Sequence, residues 1–355
     1  VQPSASEEPR APGDRGWARV PLGGVCVLLA LVSALALDVL SWWGRAAWLA
    51  TALLGAGLVT APWRPRERRG GVATAGAVLW AGLLVVRLLV GGESPHAHAV
   101  TMPGPRGTRL VDRVFEERDA AILGARLLTL TSTRTAPEMP TFVPLLVDGY
   151  ARMESSLGTT MGSMVLSTYL GRDHGGEFGA FVIEPEEGEA RGSVVFLHGL
   201  AGNFLLYCWE VAQAARASGL RTICPSTDWT GHWSNDAGER IARAALAYAR
   251  RDTHTVLVGL SAGGVGASRL APRLGGLIDG LVLVSGADPD AEDPGVPTLL
   301  LHGTRDGMMP VAQARDYRAA HASRATLVEL DGTHFVLLEQ RDALADALTA
   351  FLRAR

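Results

Sequence analysis

From residue 194 onward the chain alternates short apolar runs with stretches of helical rhythm, and no other feature narrows so far what it can fold into. The apolar runs lie at 194–198, 220–224, 255–260, 281–285, 298–302 and 326–330, and the helical stretches at 205–217, 239–250, 311–320 and from about Arg341 onward. Runs this short, with little polar alternation, read as strands covered on both sides. Alternation of such strands with helices predicts an α/β fold, a mostly parallel sheet with crossover helices on both faces. In such a fold the loops at the carboxyl ends of the strands build the site. Upstream, 164–170 and 178–184 read as two further strands joined through the turn-rich segment 171–176, which predicts an antiparallel start.

The first hundred residues differ in kind. Hydrophobic residues make up 48% of the 355 and charged ones only 19%, and much of the apolar excess is concentrated there. A Pro-, Ser-, Glu- and Arg-rich tail at 1–19 has no apolar periodicity and is expected to be disordered. Segments 20–40, 46–63 and 71–90 then each approach the roughly 20 residues that cross a bilayer as a helix. A cleaved signal peptide would account for the first and leave the other two unexplained. Asp38 and Arg87 interrupt the pattern near predicted helix ends, where side chains reach the headgroups. The expected organisation is a tail at 1–19, a membrane region with three transmembrane helices at 20–92, a helical linker at 93–160 and a catalytic domain at 161–355. Arg10, Arg15 and Arg19 precede the first span and Arg64, Arg66, Arg68 and Arg69 separate the second from the third, against Arg45 alone between the first and second. Despite Arg106 and Arg109 after the third span, the positive-inside rule leaves the catalytic domain extracytoplasmic. A net charge of −3 without a clustered cationic face excludes a nucleic-acid partner, and leaves the bilayer as the expected one.

Within the linker, 116–130 and 142–157 carry apolar residues in helical rhythm, separated by the Thr- and Pro-containing stretch 129–140. Two readings follow: helices packed on the body of the domain, or a lid over a site with Phe142, Leu146 and Tyr150 facing substrate.

The chemistry-bearing residues fall at the ends of the predicted strands. Gly259-Leu260-Ser261-Ala262-Gly263 matches G-x-S-x-G, after a strand and before a helix, where the serine of a nucleophile elbow stands. The run 194–198 ends in His198-Gly199-Leu200-Ala201-Gly202, a turn whose N–H groups can converge on an oxyanion; Leu200 and Ala262 are the expected donors and His198 a structural residue. Asp306 follows the strand at 298–302 and His334 follows the next one, so acid and base come in the chain order Ser, Asp, His. Asp288, after the strand at 281–285, is the rival acid.

These motifs together resemble an α/β-hydrolase fold enzyme, similar to carboxylesterases and dienelactone-hydrolase-like proteins, over about residues 161–355. The resemblance implies a serine hydrolase that cleaves carboxylic esters through an acyl-enzyme at Ser261, with no metal and no organic cofactor. About a dozen residues separate Ser285 from Thr298, too few for a helical cap in the usual place, so a lid would come from the segment before Met161. Phe204, Tyr207, Trp229, His232 and Trp233 are read in loops that follow strand ends, where they either line the mouth of a pocket for an apolar ester, a lipid or a polyester, or serve as structural packing. A peptidase, a thioesterase or a membrane-tethered binding protein remain the alternatives. Cys208, early in a helix, and Cys224, at the end of the next strand, fall at the same sheet edge. They are either a disulfide or two buried thiols.

Overall fold

The computed structural model describes residues 19–63, 70–91, 93–104, 106–132, 138–159, 161–249 and 254–354. The tail expectation, Arg10 and Arg15, and the arginines at 64, 66, 68 and 69 lie outside them, as does the middle of 129–140. The chain divides into two compact units, 1–86 and 87–355.

In the first unit the helices Val20–Ala34 and Trp42–Thr60 pack together. Glycine allows this approach: a Cβ on Gly23 would meet Leu58 Cβ at 2.8 Å and one on Gly55 would meet Val27 N at 2.9 Å. Inside lie small residues such as Gly23, Ala30 and Ala50, while Leu22, Leu28, Leu31, Leu49 and Val78 are exposed. Two helices, Trp42–Trp63 (counting its last 3₁₀ turn) and Gly71–Val90, are long and apolar enough to cross a membrane. The first expected span is shorter than its sequence allowed: helix stops at Ala34, and Asp38 sits in the turns that follow. Arg87 is no headgroup anchor, because its guanidinium donates to the carbonyls of Phe115 at 2.9 Å and Thr159 at 3.3 Å.

The second unit holds a nine-stranded sheet. Its strands are β1 (Glu93–Ser94), β2 (Ala97–Met102), β3 (Phe178–Ile183), β4 (Ser193–Leu197), β5 (Arg221–Pro225), β6 (Thr255–Leu260), β7 (Gly280–Val284), β8 (Thr298–Gly303) and β9 (Ala325–Leu330). They are ordered β1-β2-β3-β5-β4-β6-β7-β8-β9. Neighbours from β5 to β9 run parallel and the first three pairings are antiparallel. This is the α/β-hydrolase fold with its mostly parallel sheet. Val195, Leu197, Leu257, Leu283 and Leu300 join one core with the helices Asp236–Ala249 and Ala262–Leu274. The alternate residues Val194, Phe196, Val256 and Val258 are equally buried and point to the other face, where Leu205–Ala217 and Arg341–Arg353 pack together.

Two elements depart from expectation. Residues 165–169, read as a strand, form a short helix, with Ser167 donating to Asp112 and Thr168 to Asp173. The antiparallel start is made instead by β2, which pairs with β3 from Ala97↔Ile183 to Met102↔Phe178. The sheet therefore begins well before residue 161.

Candidate active site

Ser261 occupies a turn between β6 and the helix Ala262–Leu274 with φ of 54°, a region that L-residues rarely adopt. The flanking glycines make that turn feasible: a Cβ on Gly259 would lie 2.3 Å from Gly263 O, and one on Gly263 2.2 Å from Leu197 O. The result is a serine standing off the end of the sheet.

His334 Nε2 lies 2.9 Å from Ser261 Oγ, and His334 Nδ1 lies 2.9 Å from Asp306 Oδ2. A proton on Nδ1 donated to the carboxylate leaves Nε2 to accept from the serine hydroxyl, so the network assigns the tautomer. Asp306 Oδ1 in turn accepts the N–H groups of Met308 at 2.9 Å and Met309 at 2.7 Å. Burial opposes ionisation of Asp306, but hydrogen bonds from His302 and His334 more than offset it and hold the carboxyl well below the usual range. The rival acid is elsewhere: Asp288 is paired with Arg269 at 2.5 Å.

The turn after β4 is held from beneath. His198 Nδ1 donates to Gly199 O at 2.8 Å, Nε2 accepts from Thr227 N–H at 3.2 Å, and Trp233 Nε1 donates to His198 O at 2.9 Å. Burial lowers the His198 pKa to about 4, so its ring is neutral and structural. Ala201 N–H is taken up by Trp229 O at 2.7 Å. Leu200 and Ala262 line the same cavity as Ser261 and His334.

That cavity measures about 790 Å³. The helices Glu117–Ser132 and Met139–Leu157 contribute part of its wall, through Gly124, Leu128, Phe142 and Leu146 among others. Phe142 stacks on Phe335, the neighbour of His334, with ring centroids 3.9 Å apart. Tyr150 also reaches the cavity, but its hydroxyl is committed, donating to Glu117 Oε1 at 2.9 Å. Glu117 accepts further from Ser163 Oγ at 2.8 Å and Leu206 N–H at 3.3 Å. This buried carboxylate ties both helices to the segment at 163 and to the helix that follows the β4 turn. Both helices are packed on the body of the domain, and both contribute residues to the wall of the cavity beside Ser261.

Of the aromatic candidates, Phe204, Tyr207, His232 and Trp233 line the cavity. Trp229 does not line it; its half-exposed ring stacks on Tyr169 at 6.3 Å. Met308, Met309 and Phe335 line it without having been singled out in the sequence. Cys208, at the start of the helix Leu205–Ala217, and Cys224 in β5 are disulfide-bonded with Cα atoms 6.1 Å apart. The free cysteine among the described residues is Cys26.

Many structural neighbours are esterases and α/β serine hydrolases. The esterase domain of a Rhodothermus marinus protein matches with a TM-score of 0.42 and 16% identity, covering 50% of this chain and 93% of that one. Est1E from Butyrivibrio proteoclasticus matches with a TM-score of 0.42 and 18% identity, over 50% and 93%. An alpha-beta serine hydrolase homologue from Coxiella burnetii matches with a TM-score of 0.40 and 18% identity, over 50% and 92%. No protein-family model matches the chain, and no curated protein does. Among the described residues no three His, Cys, Asp or Glu side chains gather as metal ligands would.

Proposed function

We propose that this protein is a membrane-anchored serine esterase that cleaves carboxylic esters with an apolar part, lipids or polyesters included, through an acyl-enzyme at Ser261. The observation that carries the reading is the continuous hydrogen-bonded line from Ser261 through His334 to Asp306 beside an apolar cavity. Ser261 Oγ attacks the ester carbonyl carbon as its proton passes to His334 Nε2, and Asp306 stabilises the imidazolium. The oxyanion is received by the N–H groups of Leu200 and Ala262. Collapse expels the alcohol, which takes the proton from His334. Water then attacks the acyl carbon with His334 again as base, releasing the acid and restoring the serine. Phe204, Tyr207 and His232 contact the apolar part of the substrate.

The mostly apolar cavity wall favours esters over peptides, whose amide groups need polar partners. Labelling of Ser261 by a fluorophosphonate, with hydrolysis compared over esters, amides and thioesters, tests the reading. Absence of labelling would favour a non-catalytic binding protein, and preference for amides or thioesters would move it to the peptidases or thioesterases.

The anchor reading rests on the two long apolar helices and on the apolar exterior and small-residue interior of the first unit. With 20–40 counted as a short first crossing, the arginine distribution puts the hydrolase outside the cytoplasm. A disulfide persists in such a compartment. A reporter fused after Arg355 and active only in the cytoplasm would overturn this topology.

A further inference from the structure

The cavity beside Ser261 exceeds what a short ester fills. Its volume is about 790 Å³, far more than the few atoms of an acetyl group need. Part of its wall is the helix Glu117–Ser132, through Ala120, Ala121, Gly124, Ala125 and Leu128. These positions repeat at the spacing of one helical face, and none carries a polar side-chain atom. A polar headgroup finds no partner on them, whereas an alkyl chain loses nothing there and leaves water.

Gly124 is the informative position. It lies inside a helix, where glycine is disfavoured relative to alanine, and it does not use a positive φ. A Cβ built on it meets no atom within 4 Å, so no neighbour in the protein requires glycine there. Gly124 itself is one of the residues that line the cavity. Building on the esterase reading above, we infer that the site takes esters of one long apolar chain, that the chain lies along the helix Glu117–Ser132, and that Gly124 limits the length that fits.

The test uses the full chain in lipid nanodiscs. The kcat/KM ratio for p-nitrophenyl laurate over p-nitrophenyl acetate is measured for wild type, Gly124→Ala, Gly124→Leu and Gly124→Phe. The ratio should fall progressively with side-chain size, by about tenfold or more for Phe, the scale on which a pocket reads added or missing methylenes. Thermal unfolding reports folding, and Gly124→Ala should melt no lower than wild type. An unchanged ratio in folded Gly124→Leu overturns the inference, whether or not Gly124→Phe folds. A second arm measures binding of dansyl-undecanoate to Ser261→Ala with and without Gly124→Leu. Weakened binding supports the chain path, and equal binding overturns it. Failure of wild type to cleave any ester counts against the esterase reading, and the binding arm still judges the path.

Discussion

His302 Nε2 stands 3.2 Å from Asp306 Oδ2, the same oxygen that faces His334 Nδ1. It also donates to Met309 O at 2.7 Å, so one ring ties together the acid and the loop whose amides hold the other carboxylate oxygen. The second imidazole thus keeps Asp306 both placed and ionised.

His302→Gln should lower kcat by about tenfold with little change in KM, because orientation of His334 suffers while the cavity stays intact. Steady-state kinetics and thermal unfolding check this. An unchanged kcat, or a loss of kcat that only follows a loss of folding, would leave His302 a purely structural residue.

Asp306→Asn should reduce kcat by about 10⁴, the scale of losing the group that fixes the imidazole tautomer. Asp288→Asn, which removes only the partner of Arg269, should stay near wild type. Steady-state kinetics on the pair decide the acid, and the reverse pattern would reassign it.

Glu117 is buried, no cationic side chain among the described residues is bonded to it, and burial raises its pKa above the ordinary range, against the hydrogen bonds that favour its charged form. An acid whose folded pKa is raised favours the fold at low pH, and that advantage declines as pH rises above the unfolded value, about 4.3. Glu117→Gln keeps the shape without the charge. Its Tm should gain on wild type as the pH rises above about 4.3. Parallel pH–Tm curves for the two proteins would contradict this.

Replacing Cys208 and Cys224 together by alanine should cost roughly 3 kcal/mol, the entropy of closing a loop of this size. Asn203 Nδ2 donates to Cys224 O at 2.8 Å and to Ser226 Oγ at 3.0 Å, so the loss should loosen the turn carrying Leu200 as well. Denaturant midpoints measure the first effect. Alkylation of both cysteines in unreduced protein from an oxidising compartment would remove the basis of the prediction.

The parallel half of the sheet was legible because its strands are continuous apolar runs, and the meeting of Ser261, Asp306 and His334 because each of them follows one. Strand β2 was not legible: Ala97–Met102 is short and mixed, and it becomes a strand by pairing with β3, whose residues lie some eighty positions later. The segment 164–170 was read as a strand because a turn-rich stretch joins it to the run at 178–184, but hydroxyl groups at 167 and 168 found partners that fix a helical turn. His302 left a faint signal, a histidine four residues before the acid at a strand end. Glu117 left none, since nothing local distinguishes a glutamate that will be buried. Trp229 was placed near the site by its loop, yet its ring turned to Tyr169.

The pairing of β2 with β3 also decides where the molecule can be cut. A fragment beginning at residue 161 would keep Ser261, Asp306 and His334 yet expose the edge of β3 that pairs with β2, from Phe178 to Ile183, and remove part of the wall of the cavity. Such an edge recruits other chains, and the product would be expected to aggregate before its catalysis could be assayed. A fragment that starts ahead of Glu93 retains β1 and β2, so a cut that removes the apolar helices and keeps the sheet whole has to fall upstream of β1.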